Sequence, residues 1–461
     1  MRRLVVVGAG ISGLAAAWAA QQHAASVPDG LEVLVLERGG EVGGKAQSLV
    51  RGGWLLEGGP SGFLGGRPEM ERLIDGAGMR DALVPADAGA ARRYLYRAGR
   101  LRRVVSNPIG FLLSGILSAR GVARLLGEPF VPARLDLLDE SVWEFAARRL
   151  GPEVADRLVL PMTLGFFAGD AKRLSVAAAF PKMVALEREH GSVIRGMVAR
   201  RGRTSSGALR SFRGGMQQLP RALAARGGFT VRCGAAVQAI VRAPAGWNVT
   251  VAHDAESVPA DAVILAGEPW ASAALLRAEL PVVADALSGI ACPAVTVVGL
   301  GYGPAGRRMV PRGFGVLIAR GEGYRMLGNL WETETYPGRG PRDHLLIRAL
   351  YGGAVDPEAG AMDESTIGAL ARDEVARLYG VSEAPTFVEV VRVPRAIPQY
   401  EIGHRDRVLQ IEQALTALPG VHLTGFGLRG TAFADAASDG VRIGTRAVEE
   451  LVAGRGTRGA T

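Results

Sequence analysis

Residues Gly8-Ala9-Gly10-Ile11-Ser12-Gly13 place three glycines at the spacing G-x-G-x-x-G, directly after the apolar run Leu4–Val7 and before an Ala-rich stretch. A glycine triplet between a strand and a helix can do specific chemistry. Gly8 permits a tight turn, Gly10 lets an anionic ligand approach the backbone, and Gly13 lets the helix pack closely on the strand. The unpaired N–H groups at the helix start then attract phosphate. Glu37 ends a second apolar run, Leu31–Leu36, and lies 24 residues beyond Gly13. A carboxylate there accepts hydrogen bonds from ribose hydroxyls and disfavours a 2′-phosphate. Together these residues predict a dinucleotide-binding βαβ unit.

Four further groups go beyond a plain dinucleotide site. Arg38 and Gly43-Gly44-Lys45 follow Glu37; Glu57-Gly58-Gly59-Pro60-Ser61-Gly62 follows the apolar Trp54–Leu56. Gly214-Gly215-Met216-Gln217-Gln218-Leu219 comes later, and Leu423-Thr424-Gly425 precedes Gly430-Thr431-Ala432-Phe433. This set resembles the FAD-dependent amine oxidase superfamily, whose second signature is E-x(5)-G-G-[RK]. The resemblance implies non-covalent FAD. It implies cofactor contacts from Gly8, Ala9, Gly10, Ile11, Ser12, Gly13, Glu37, Arg38, Gly44 and Lys45. It adds Gly59, Pro60, Ser61, Gly62, Val237, Phe426, Thr431, Ala432 and Phe433. The last of these begin a helix whose N-terminus would stabilise negative charge on reduced flavin.

Within that superfamily, four stretches resemble the oxygen-dependent protoporphyrinogen oxidases of bacterial type. They are Arg93-Tyr94-Leu95 through Asn107-Pro108, Glu144-Phe145 through Pro161, Gly165-Phe166-Phe167-Ala168-Gly169-Asp170 through Phe180-Pro181, and Pro394-Arg395-Ala396-Ile397-Pro398-Gln399-Tyr400 with Gly403-His404. The resemblance implies oxidation of protoporphyrinogen IX to protoporphyrin IX in haem biosynthesis. That reaction takes three two-electron hydride transfers to flavin N5, with O₂ reoxidising the flavin to give H₂O₂. No side chain need act as a strong base, because the substrate tautomerises; the protein supplies position and electrostatics. By matching positions, Arg93 pairs with a substrate propionate. Gly165 and Phe166 line the macrocycle, and Leu317, Leu330 and Leu350 sandwich its rings. The chain departs from its relatives at Val393, where many carry Trp, and at Leu350, where many carry a bulkier residue.

Alternatives stay open at this point. Coproporphyrinogen III oxidation would use the same residues with more cations near Arg93. An amine oxidase would want a lysine from the substrate sheet and often a C-terminal cysteine. The chain has no lysine after Lys182 and no cysteine after Cys292. A carotenoid desaturase lacks the 165–170 match, and an inactive FAD-binding scaffold would not need Arg93.

The elements that must position these residues read as an α/β composite in three parts. Residues 1–88, 208–288 and 406–461 form a Rossmann-like FAD domain of discontinuous segments. Residues 89–104, 178–207 and 289–405 form an antiparallel-sheet substrate domain, and residues 105–177 a helical membrane-associated insert. Strands are expected at 93–95, 101–105, 229–241, 246–252, 260–266, 294–302, 314–320, 324–331, 344–351 and 387–393. Helices are expected across 109–204, where Ser141 and Glu144 form a capping box, and at 408–417 and 441–453. A break is expected at Ser106-Asn107-Pro108, and a frayed polar tail after Ala453.

With 461 residues, two or three domains are the prior. Apolar residues at 48% and charged residues at 21% can build large cores and argue against disorder. The net charge of +9 is almost all Arg, since Lys occurs only at 45, 172 and 182. Such a surface suits an anionic membrane or an acidic small molecule; no zinc-finger spacing, RNA-binding aromatic signature or long basic run points to nucleic acid. Two cysteines without CxxC spacing and six scattered histidines point to neither a disulfide framework nor a metal. No signal peptide is read at the start, and no apolar run reaches the ~18 residues of a membrane span. Pro108–Ala119 is uncharged and mostly apolar, followed by Arg120 and Arg124. It is expected to dip into one leaflet while the arginines meet headgroups. The expected setting is cytoplasmic, peripheral to the inner face of the cell membrane. A homodimer and a contact with the next haem-pathway enzyme are both compatible with this reading.

Overall fold

The structure is a computed structural model that describes residues 1–105, 107–134, 136, 138–200 and 207–454. Ser106 of the expected break, part of the expected helical span at 201–204, and the tail from 455 onward lie outside the described residues.

Five parallel strands form the first sheet, in the order Thr230–Arg232, Leu31–Leu36, Arg2–Val7, Ala262–Leu265, Val421–Leu423. Its three central strands are continuous apolar runs because both faces are covered. One face meets the helices Ile11–Gln22 and Phe433–Ala453, with Leu4, Val6, Leu14, Ala16 and Ala437 in a shared core. The other meets the meander Val237–Ala243, Gly246–Val251, Val258–Ala260 and the helices Pro269–Leu276 and Pro281–Ser288. The last helix starts at Phe433, a full two turns before the expected 441, because Ala434, Ala436, Ala437 and Val441 bury against the first helix. Gly440 and Gly444 make that contact close: a Cβ on Gly444 would lie 2.1 Å from the Ala16 carbonyl oxygen.

A second sheet has seven strands: Phe387–Val393, Val295–Tyr302, Leu345–Gly352, Gly328–Trp331, Gly315–Ile318, Arg93–Arg97, Arg100–Val104. The expectation of a wholly antiparallel sheet needs one correction. Gly315–Ile318 pairs with Arg93–Arg97 in parallel. The hairpin 93–104 arrives from far earlier in the chain, so no tight turn dictates its direction against residues 315–318. One face of this sheet packs on the helix Glu364–Tyr379, which the sequence reading took for turns. Its signals were present: Asp363 caps it by accepting from Thr366 N–H, Ile367, Ala371, Val375 and Leu378 share one stripe, and Gly380 ends it at φ 70°.

Helices fill most of 108–199, and the Ser141–Glu144 capping box is formed. The Pro108–Ala119 run is split by the fold. Ile116 and Leu117 are buried against Leu95, whereas Leu113 is exposed. Arg124 does not project freely: its guanidinium donates to the carbonyls of Arg148 and Arg149, the C-terminal end of the helix Val142–Arg149. Among the described residues, no helix is long and apolar enough to cross a membrane.

Gly444→Ala is expected to lower stability by about 1–3 kcal/mol, because the backbone it meets cannot yield. Gly368→Ala, whose Cβ would find ordinary contacts at 3.9 Å and 4.0 Å, should be neutral or stabilising by about 0.5–1 kcal/mol. Denaturant midpoints of the two variants check this contrast.

Candidate active site

The glycine turn is built as its spacing requires. Gly8 sits at φ +107°, and a Cβ on Gly13 would lie 1.9 Å from the Gly8 oxygen. A Cβ on Gly10 would meet nothing within 4 Å, so the space above it is open to a ligand. The second glycine group closes against the first: Gly43 N–H donates to the Ala9 carbonyl, and Gly10 and Gly43 bridge. Glu37 is held by backbone amides, its two oxygens accepting from Ala9 N–H at 2.7 Å and Gly39 N–H at 2.8 Å. Each carboxylate oxygen keeps a second lone pair for a hydroxyl. The Ser12 hydroxyl, at the helix start, is buried without a partner. An orphaned donor beside an uncapped helix N-terminus fits a phosphate. Ile11 lies in the core cluster, so it can contact a ligand only through its backbone. Val237 is half-buried beside the same sheet edge, packed with Val7 against the second core.

The sequence reading missed three residues that complete this end. Glu268 and Trp270 follow the strand Ala262–Leu265, and Arg395 follows Phe387–Val393. Lys45 Nζ pairs with Glu268 at 2.7 Å. The Trp270 ring lies beneath both Arg38 (5.1 Å) and Arg395 (4.5 Å), and its Nε1–H is buried without a partner. Nothing local marks Glu268 and Trp270, and Arg395 stands in a stretch that carries the family resemblance without a role; only the meeting of strand ends brings the three together.

The loop 57–62 is fastened by a buried network. Glu57, fully buried, accepts from Met216 N–H (2.9 Å), Ser48 Oγ (2.7 Å) and Arg339 (2.6 Å). Burial pushes its carboxyl up, against the opposing pull of Arg339. Arg348, from the second sheet, donates to the carbonyls of Glu57 and Gly59. Ser211 Oγ donates to the Ser61 carbonyl, and Pro60 beside it is half-buried. Packing alone already requires glycine at 59 and 62. Their Cβ atoms would lie 1.8 Å from the Lys45 oxygen and 1.9 Å from the Tyr336 hydroxyl. Gly44 is less crowded, an added Cβ lying 3.2 Å from the Gly10 Cα, but it sits at φ +58°.

Strand register gathers the expected substrate residues. Arg93 pairs with Gly315, Gly315 with Leu330, and Leu330 with Arg348; Leu95 pairs with Leu317, Leu317 with Gly328, and Gly328 with Leu350. Side chains of paired residues share a face, so Arg93, Leu317, Leu330 and Leu350 point the same way. That face is opposite the buried Val316, Ile318, Trp331, Ala349 and Tyr351. The three leucines are only half-buried, which separates them from ordinary core. Gly165 presses on Leu317, where an added Cβ would lie 2.4 Å from Cδ2. Leu350 packs with Leu164 and Ala168, and Phe166 is exposed. Arg93 is exposed, stacks 5.2 Å over Phe314 and makes no ion pair among the described residues.

The C-terminal loop runs from Gly425 (φ +121°) to Gly430 (φ +120°). Ala432 starts the helix Phe433–Ala453 without a side-chain cap, leaving its first amides available, with Thr431 half-buried before it. Phe433 itself is buried against Phe63 and cannot offer its ring to a ligand; Phe426 is half-buried. Among the described residues no group of His, Cys, Asp or Glu could hold a metal.

His404 supports this loop, its Nε2–H donating to the Leu428 carbonyl at 3.1 Å. Burial, aided by Arg407 and opposed by that bond and Asp139, lowers its pKa to about 4. The depressed value means the neutral imidazole's contribution is complete above the unfolded pKa, about 6.5. It is lost as pH falls through 4. About 2 kcal/mol should disappear between pH 7 and pH 5, and His404→Gln should flatten that slope in denaturant titrations at the two pH values.

The geometry can be set beside known proteins. The family model "Flavin containing amine oxidoreductase" matches residues 11–450. Protoporphyrinogen oxidase of Homo sapiens is 31% identical, over 95% of this chain and 97% of the relative. Chloroplastic protoporphyrinogen oxidase of Oryza sativa subsp. japonica is 33% identical, over 89% and 81%. Coproporphyrinogen III oxidase of Bacillus subtilis (strain 168) is 27% identical, over 95% and 96%. A crystal structure from Exiguobacterium sp. 255-15 shares the fold at TM-score 0.83 and 23% identity, covering 97% of this chain and 99% of that one. The chain belongs to the flavin containing amine oxidoreductase family, the family of the protoporphyrinogen oxidases it resembles, and is a flavin-dependent oxidoreductase.

Proposed function

We propose that the chain uses non-covalently bound FAD to oxidise protoporphyrinogen IX to protoporphyrin IX, with O₂ as final acceptor and H₂O₂ as by-product. One observation carries the reading. A floor of half-buried leucines, Leu317, Leu330 and Leu350, lies on one sheet face with the unpaired cation Arg93 at its rim. An apolar macrocycle bearing carboxylates has that shape and charge.

Bound FAD supplies the two-electron acceptor. The residues of the chain do the rest. Ser12 and the uncapped helix start would hold the diphosphate, and Glu37 would hold the ribose. The uncapped start of Phe433–Ala453 would stabilise negative charge on the flavin. Gly165 and the leucines exclude water from the ring plane, while Arg93 fixes orientation by a charge-assisted bond. The floor offers no lysine, in keeping with the absence of Lys beyond residue 182, and this disfavours an amine oxidase.

A second reading, coproporphyrinogen III oxidation, gains support from Arg97. It shares the face of Arg93 and Leu95 by strand alternation and is half-buried. Steady-state turnover of both porphyrinogens with H₂O₂ detection decides between them, and production of neither porphyrin would refute both. Arg93→Ala should raise KM about tenfold with kcat and thermal stability little changed; unchanged KM would remove Arg93 from the site.

Membrane association is the third part of the proposal. Leu113, Leu126 and Phe130 are exposed on the helical insert, and the net charge is positive. Leu113→Asp with Phe130→Asp should release the protein from anionic vesicles in co-sedimentation; full retention would reject this surface.

A further inference from the structure

Residues 394–404 matched a family stretch, yet neither the leucine floor nor the dinucleotide site uses most of them. Two adjacent side chains in this stretch reach in opposite senses. Gln399 donates from Nε2 to the Phe167 carbonyl at 3.0 Å, at the C-terminal end of the helix Leu160–Phe167 that carries Gly165, and to the Ile397 carbonyl of its own segment at 2.9 Å. The Tyr400 hydroxyl donates to the Phe426 carbonyl at 2.5 Å and accepts from Gly430 N–H at 2.9 Å, spanning the C-terminal loop. Both residues are nearly fully buried.

The backbone between them is anchored on several sides. Gln399 N–H donates to Ala291, Ser175 N–H donates to Tyr400, Ile402 N–H donates to Arg173, and Gly403 N–H donates to Asp139. The Tyr400 ring stacks on His404 at 3.9 Å and 15°. Packing alone does not account for an amide at 399. Its Oε1 is buried without a partner, close to Gly169, and a leucine of similar volume would avoid that cost. What the amide adds is its nitrogen's two bonds, one that shapes its own segment at Ile397 and one that reaches across to the helix end at Phe167.

We propose that Gln399 and Tyr400 are a two-sided positioning pair. Gln399 fixes the substrate-facing helix end at 165–169, and Tyr400 fixes the flavin-facing loop 425–430. The gap between the two reacting partners is thereby set by neighbouring residues on one rigid backbone. This rests on the proposed assignment of those two loops.

The test uses holoenzyme carrying Gln399→Leu or Tyr400→Phe; the second keeps the ring and its stack on His404. Hydrogen exchange needs no substrate. Tyr400→Phe should speed exchange at residues 425–431 about fivefold or more, and Gln399→Leu should do so at 165–170, each leaving the other loop unchanged. Tyr400→Phe should also shift the visible absorption of bound flavin and lower kcat with KM unchanged. Gln399→Leu should raise KM about fivefold with the flavin spectrum unchanged. Loops that exchange as in the wild type, or both variants loosening both loops alike, would overturn the pair. If no porphyrinogen turns over in the wild type, the functional reading falls, while exchange and absorption still decide the positioning claim.

Discussion

One buried carboxylate fastens the loop 57–62 to distant parts of the chain. Glu57 has no solvent exposure. It collects Arg339, Ser48 and the Met216 amide, while Arg348 grips the backbone on either side of Gly58. A buried charge is tolerable only when fully paired, and removing one partner costs about 3–5 kcal/mol. That constraint makes the loop 57–62 a rigid joint: its start is held by Arg348 of the seven-stranded sheet, and its glycines press on Lys45 and Tyr336. The cofactor side and the leucine floor keep their relation because this joint cannot relax without exposing or orphaning charge.

Around that joint, the division of labour follows from geometry. Parallel strands end where the glycine turns begin, and that edge gathers Gly10, Glu37 and Lys45 with Glu268 and Trp270. The seven-stranded sheet sorts its residues by alternation, core toward the helix Glu364–Tyr379 and half-buried leucines toward the site.

Legibility in the sequence followed contact distance along the chain. The cofactor end was readable because Gly8, Gly10, Gly13 and Glu37 act within one βαβ unit, where spacing implies geometry. The leucine floor was reachable only through family resemblance. Leu317, Leu330 and Leu350 become distinct from core by register across strands that begin at Arg93. The parallel pairing of 93–97 with 315–318 was illegible for the same reason. Arg339 and Arg348 looked like any arginines among many, and Trp270 and Arg395 meet only in three dimensions. The helix Glu364–Tyr379 is a different case, for its cap and stripe were local and were read past. The apolar run at 108–119 misled in part, because amphipathic segments that face a core and those that face lipid have similar compositions; Ile116 and Leu117 went inward.

The central proposed step is the movement of electrons from a porphyrinogen to a flavin held in this frame. Anaerobic rapid mixing of the flavin-loaded protein with protoporphyrinogen IX measures that step alone. Bleaching of the oxidised-flavin band within single turnovers, restored on admitting O₂, is the predicted result. A band that persists at saturating porphyrinogen would contradict it.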